Sequence, residues 1–123
     1  MRHFLTIIFT IAVAGCSSPS QQIVCPVAET GKVSGSLQET AAQIKAASDG
    51  LGRGDENQIA GVASRIRARY PNATEVQIVD YLVTAYCPKI NANGTMDKAG
   101  KQQAMKDFAS RAERIVGLTG KAS

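Results

Sequence analysis

Side chains able to make or break bonds are sparse in this sequence. His3 is the single histidine among 123 residues, and it belongs to the basic start Met1-Arg-His-Phe4 ahead of an apolar run. Beyond that start there is no imidazole to act as base for a serine or cysteine nucleophile. Proton transfer would fall to carboxylates, and Glu39, Asp49, Asp55, Glu56, Glu75 and Asp80 are available for the acid and base steps that cleave cell-wall sugars. Most of them stand at caps or in first turns, where the helix dipole already favours a negative charge, and no pair is marked out. Thr95 and Lys98 place a hydroxyl and an amine one helical turn apart, as in Ser–Lys nucleophile pairs, but at what reads as an exposed helix start. Gly50-Leu-Gly-Arg-Gly-Asp55 offers backbone amides to a phosphate. No strand precedes it and the Gly-Lys-Ser/Thr ending of a P-loop is missing, so it reads as an interhelical turn. Neither a zinc site nor a calcium loop is recognisable, and no catalytic residue, metal ligand or cofactor is assigned.

The elements that would hold these residues have helical period from Gln38 onward, in four segments divided by glycine or proline. Ser36 and Glu39 are spaced as a capping box, with Leu37, Ala41, Ile44, Ala47 and Leu51 along one face of the helix that follows. Asp55 can cap a second helix with the stripe Ile59, Val62, Ala63 and Ile66, closed by Pro71. Thr74 and Gln77 open a third, in which Val76, Ile78, Val79, Tyr81, Leu82, Val83 and Tyr86 occupy nearly every face, marking it as the central helix. Thr95 can cap a fourth, ending near Gly117, with Met96, Ala99, Ala104, Met105, Phe108, Ala112, Ile115 and Val116 inward. The expectation is an all-α domain, a small bundle of about four helices.

The N-terminus carries an address. After the basic start, Leu5 to Val13 is an apolar run about half the roughly 20 residues that span a bilayer, which reads as an export signal rather than a membrane anchor. Val13-Ala14-Gly15-Cys16 resembles the lipobox that closes the signal of bacterial lipoproteins. That resemblance implies a diacylglyceryl group on the Cys16 sulfur, cleavage between Gly15 and Cys16, and a chain held to a membrane by its acyl groups. Ser17 in place of aspartate implies sorting to the outer membrane, facing the periplasm. Together with the helical pattern, this resemblance, which covers only residues 1–16, leads us to expect a signal peptide at 1–15, a lipidated N-terminus and tether at 16–35, and a helical domain at 36–123. Ser17-Ser-Pro-Ser-Gln-Gln22 has the polar composition of a tether. The string Ile78-Val-Asp-Tyr-Leu-Val-Thr-Ala-Tyr-Cys-Pro88 is similar to segments of small bacterial lipoproteins, a similarity that assigns no activity.

With Cys16 given to lipid by that resemblance, Cys25 and Cys87 remain, an even count in a compartment that permits disulfides. We expect them to pair, the alternative being two buried free thiols. Pro26 and Pro88 follow them, which puts both cysteines at ends or bends of regular structure. No Cys-x-x-Cys occurs.

The net charge is +4. Arg65, Arg67 and Arg69 alternate, so Arg67 points away from the other two and no basic stripe forms. Asp97 with Lys101 and Asp107 with Arg111 are four apart in the favourable order, as on a solvated face. An envelope location excludes nucleic acid as a partner. The membrane, through Cys16, is one partner; the others in view are an envelope protein, peptidoglycan or anionic lipid. The sequence reads as a non-enzymatic lipid-anchored module with a binding or structural role. The competing readings are a small carboxylate-dependent cell-wall enzyme and an inhibitor or immunity-like lipoprotein.

Overall fold

The computed structural model describes residues 21–26 and 37–121. Its regular structure is helical: α1 (Ala41–Leu51), α2 (Glu56–Arg69), α3 (Glu75–Asn91) and α4 (Lys98–Lys121), with no strand among the described residues. The all-α, four-helix expectation holds, and so does the choice of α3 as the centre, since α3 packs against each of the other three and buries Ile78, Val79, Tyr81, Leu82, Ala85, Tyr86, Cys87 and Ile90, more residues than α1 or α2.

Helix starts follow side-chain chemistry. At α3, Thr74 Oγ1 accepts from Gln77 N and Gln77 Oε1 accepts from Thr74 N, the reciprocal box expected there. The α1 box is shifted four residues from its expected place. Thr40 and Gln43 form it, and Glu39 lies just outside the helix with its carboxylate turned to Arg69. Ser36 lies outside the described residues. At α4 the cap is Asp97, whose Oδ1 accepts from Gly100 N at 2.7 Å, while Thr95 is bonded to Asn93 Oδ1 in the preceding turn. A carboxylate is the better partner for the first-turn amides, because the helix dipole adds to the hydrogen bond. The helix then runs past Gly117 to Lys121.

The core is built chiefly of apolar side chains. Leu51, Ile59, Val62, Ile66, Ile78, Leu82, Phe108 and Val116 are buried side chains of all four helices, each contributing about 1.5 to 3 kcal/mol on leaving water. The whole predicted stripe of α2 is in this core. On α4 the prediction holds for Phe108, Ala112, Ile115 and Val116, whereas Ala99 is exposed. α3 and α4 run antiparallel: Asn91 meets Lys101 at one end, Tyr86 stacks on Phe108 with ring centroids 4.0 Å apart, and Gly117 lies against Glu75 at the other.

Cys87 is not at a helix end. α3 continues through Pro88 to Asn91. Proline removes one backbone donor near the C-terminus, and the extra turn is held by buried Ile90, by the bond Ala92 N–H to Pro88 O, and by a lysine ammonium on the Asn91 carbonyl.

Candidate functional site

Cys25 and Cys87 form a disulfide, with their Cα atoms 5.7 Å apart. It fixes the short segment Gln21–Pro26 to the end of the bundle where α3 stops and α4 starts. Asn91 makes the other half of the attachment. Its Oδ1 accepts from Ile23 N at 2.9 Å and its Nδ2 donates to Ile23 O at 2.8 Å, pairing with the backbone as a neighbouring strand would. Gln21 Oε1 accepts from Lys98 N at the start of α4.

Beneath this segment lies Lys101, fully buried, with Nζ donating to the Asn91 carbonyl at 2.9 Å. Its positive charge sits on the C-terminal end of α3, where the helix dipole is negative. Asp97, the partner expected at four residues' distance, is occupied at the α4 cap. The second expected pair also fails to form: Asp107 accepts from Gln103, and Arg111 donates to Gly54 O.

Ile23, Val24, Pro26 and Cys87 on one side, and Lys98, Gln102, Met105 and Lys106 on the other, enclose a groove of about 530 Å³. Lys98, Gln102 and Lys106 recur every fourth residue and so share one face of α4. Among the described residues no carboxylate lines the groove, and neither lysine has an ion-pair partner. Val24 is 98% exposed, the most exposed large apolar side chain described.

The glycine loop between α1 and α2 is committed elsewhere. The amides of Gly52 and Gly54 donate to Asp49 O and Leu51 O, and those of Arg53 and Asp55 to Gln58 Oε1. Its carbonyls accept from Lys89 Nζ at Gly52, Tyr86 Oη at Arg53 and Arg111 Nη1 at Gly54. Every amide from Gly52 to Asp55 is thus spent inside the protein, and the loop is a turn rather than a phosphate cradle.

The carboxylates separate by environment. Glu39 is buried and bridged to Arg69 at 3.1 Å, with its second oxygen unpartnered. The Tyr81 hydroxyl is also buried, facing Glu39 without a well-formed hydrogen bond; burial first, then the Glu39 charge and that contact, pushes its titration far above the usual phenol range. Burial also raises Tyr86, and burial with the Glu39 charge raises Tyr70, whose hydroxyl donates to Gln38 O. Asp49 pairs with Lys45, and Glu56 with Arg114. Glu75 and Asp80 share a cleft of about 200 Å³ with Val76, Val79 and Glu113 at the opposite end of α3. Among the described residues no group of three His, Cys, Asp or Glu is placed to hold a metal ion, and no helix is long and apolar enough to cross a membrane. Cys16 lies outside the described residues.

Asn91 and Lys101, which hold this end of the bundle together, do not stand out in the sequence. Asn91 read as the start of a turn, and Lys101 as solvated. For Lys101 a signal exists: it lies seven residues before Phe108 and so falls in phase with the buried stripe of α4. Nothing comparable marks Asn91. No protein-family model matches the chain, and no curated protein or solved structure is significantly similar to it.

Proposed function

We propose that the protein is a lipid-anchored component of a bacterial envelope. Acyl groups on Cys16 hold it to the outer membrane on the periplasmic side, and the helical domain is a non-enzymatic module that binds another envelope component. The observation that carries this reading is the string Val13-Ala14-Gly15-Cys16 closing an apolar run behind a basic start. The Cys25–Cys87 bond supports it, because disulfides persist in oxidising compartments such as the periplasm. The test is phase partitioning in a detergent that clouds on warming, with the mass of the N-terminal peptide. The intact protein enters the detergent phase with a lipid-modified N-terminus at Cys16, and Cys16→Ala abolishes both. An unmodified, uncleaved chain recovered from the cytosol refutes the reading.

A second reading, a carboxylate-dependent cell-wall enzyme, draws on the cleft shared by Glu75, Asp80 and Glu113. It requires the purified protein to cleave peptidoglycan and Glu113→Gln or Asp80→Asn to lose that turnover.

A further inference from the structure

We propose that the groove beside the disulfide seats the headgroup of an anionic phospholipid, so that the domain docks on the membrane that carries its anchor. This inference rests on the lipid-anchor reading above. Three features favour that occupant. The first is chemistry: among the described residues Lys98 and Lys106 stand on one side without ion-pair partners and no carboxylate lines the groove, while Ile23, Val24 and Met105 add an apolar wall. A phosphodiester between ammonium groups, with its glycerol and upper acyl carbons against aliphatic side chains, matches both halves of that lining. Lysine suits the position, since its stem lies along apolar surface while the ammonium reaches the phosphate.

The second feature is reach. Ile23 is clamped by Asn91, and the chain from Cys16 to Ile23 extends at most roughly 25 Å. Whatever holds Cys16 is therefore within that distance of the groove, and Val24, almost wholly exposed, lines that groove. The third is orientation. Glu75, Asp80 and Glu113 share a cleft at the far end of the antiparallel α3–α4 pair, so a negative surface attracts the lysine-lined groove and repels that cleft. Each basic side chain near an anionic leaflet strengthens such an association several-fold, and salt weakens it.

The test uses the full chain purified from membranes and reconstituted with vesicles of phosphatidylcholine alone or mixed with phosphatidylglycerol. Site-by-site acetylation of lysines is followed by mass spectrometry. Lys98 and Lys106 label at least about threefold more slowly with phosphatidylglycerol present, the size of effect a basic side chain gains there. High salt restores the rate, and Lys45 on α1 labels equally in both. Equal rates at Lys98 and Lys106 overturn the proposal. So does the same protection by inorganic phosphate without vesicles, which marks a general anion site. Protection without vesicles that grows with protein concentration also overturns it, by showing that a second copy covers the groove. The N-terminal peptide from the same digest reports the anchor separately. Equal rates with lipid on Cys16 remove the headgroup site alone, equal rates with Cys16 unmodified remove both readings, and protection with Cys16 unmodified leaves the site standing without the anchor.

Discussion

Two glycine-to-alanine substitutions should move stability in opposite directions, and the structure supplies the size of each. Gly54 is buried in the α1–α2 loop at φ +75°, a backbone region that costs a residue with a side chain about 1 to 2 kcal/mol. A Cβ there would lie 3.0 Å from Phe108 Cδ2 and 3.1 Å from Tyr86 Cζ and Oη. Those rings are stacked on each other and cannot both retreat, so overpacking adds about 1 to 3 kcal/mol. Moving Tyr86 also strains its 3.0 Å bond to Arg53 O, worth about 1 kcal/mol. Gly54→Ala should therefore lose about 4 kcal/mol, much of what a small domain has. Gly61, in the middle of α2, is exposed with no atom within 4 Å of an added Cβ. Gly61→Ala should gain about 0.5 to 1 kcal/mol by removing the backbone entropy of a helical glycine. Urea unfolding followed by helical circular dichroism reads both, and at a slope of about 2 kcal/mol per molar the Gly54→Ala midpoint falls by about 2 M. If Gly54→Ala stays within about 0.5 kcal/mol of the parent, the loop is not pinned as described and the spatial argument fails.

Tyr81→Phe should cost less than the Tyr86 change, because the buried Tyr81 hydroxyl faces the Glu39 carboxylate without a well-formed hydrogen bond to it. Tyr86→Phe should cost about 1 kcal/mol for the lost bond to Arg53 O. Thermal unfolding of the pair reads the contrast, and a larger loss in Tyr81→Phe would contradict it. The three tyrosines are all raised in the fold, so above about pH 10 the unfolded chain loses phenolic protons that the native state keeps. Stability should be insensitive to these groups below that pH and fall above it, with a smaller fall in Tyr81→Phe. Absorbance titration near 295 nm checks this, and native tyrosines that ionise together at the ordinary value refute it. Cys25→Ser opens a loop spanning 62 positions and should cost about 4 kcal/mol by chain entropy, measurable as a shift in the urea midpoint that reduction of the parent protein reproduces.

Local signals were legible in the sequence where they agreed with tertiary need. The α2 stripe, the Thr74–Gln77 box and the continuous apolar character of α3 depend on spacing alone, and the structure has all three. The α1 cap moved because two patterns compete there: Ser36 with Glu39, and Thr40 with Gln43. Burial decides between them, since Glu39 is drawn to Arg69 thirty residues away, a partner that no local spacing reveals. The same holds at α4. Lys101 and Arg111 have favourable carboxylates one turn back, yet exposed pairs of that kind contribute only about 0.3 to 0.5 kcal/mol. A carbonyl at a helix end or in a buried loop offers a long cation a stronger bond, and both side chains go there. The groove was illegible because it exists only once residues 21–26 lie across the start of α4, which takes the Asn91 and Gln21 contacts as well as the disulfide.

Fixing the N-terminal segment at this place has a mechanical consequence that does not depend on what residues 1–20 are joined to. Ile23 and Cys25 are attached to Asn91 and Cys87, both on α3, rather than only through the chain that leads to α1. Without that attachment, a pull on the N-terminus would first load α1, the shortest helix, and would test the bonds from Tyr70 to Gln38 and from Arg69 to Glu39 one after another. With it, the load passes through a covalent bond into the central helix, and from there into α4 through Lys101 and the Tyr86–Phe108 stack. Elements loaded side by side in a packed core share the force, whereas a terminal helix peels one contact at a time. The early cysteine, the helix that runs on past Pro88 and the buried lysine thus act on the same end of the bundle.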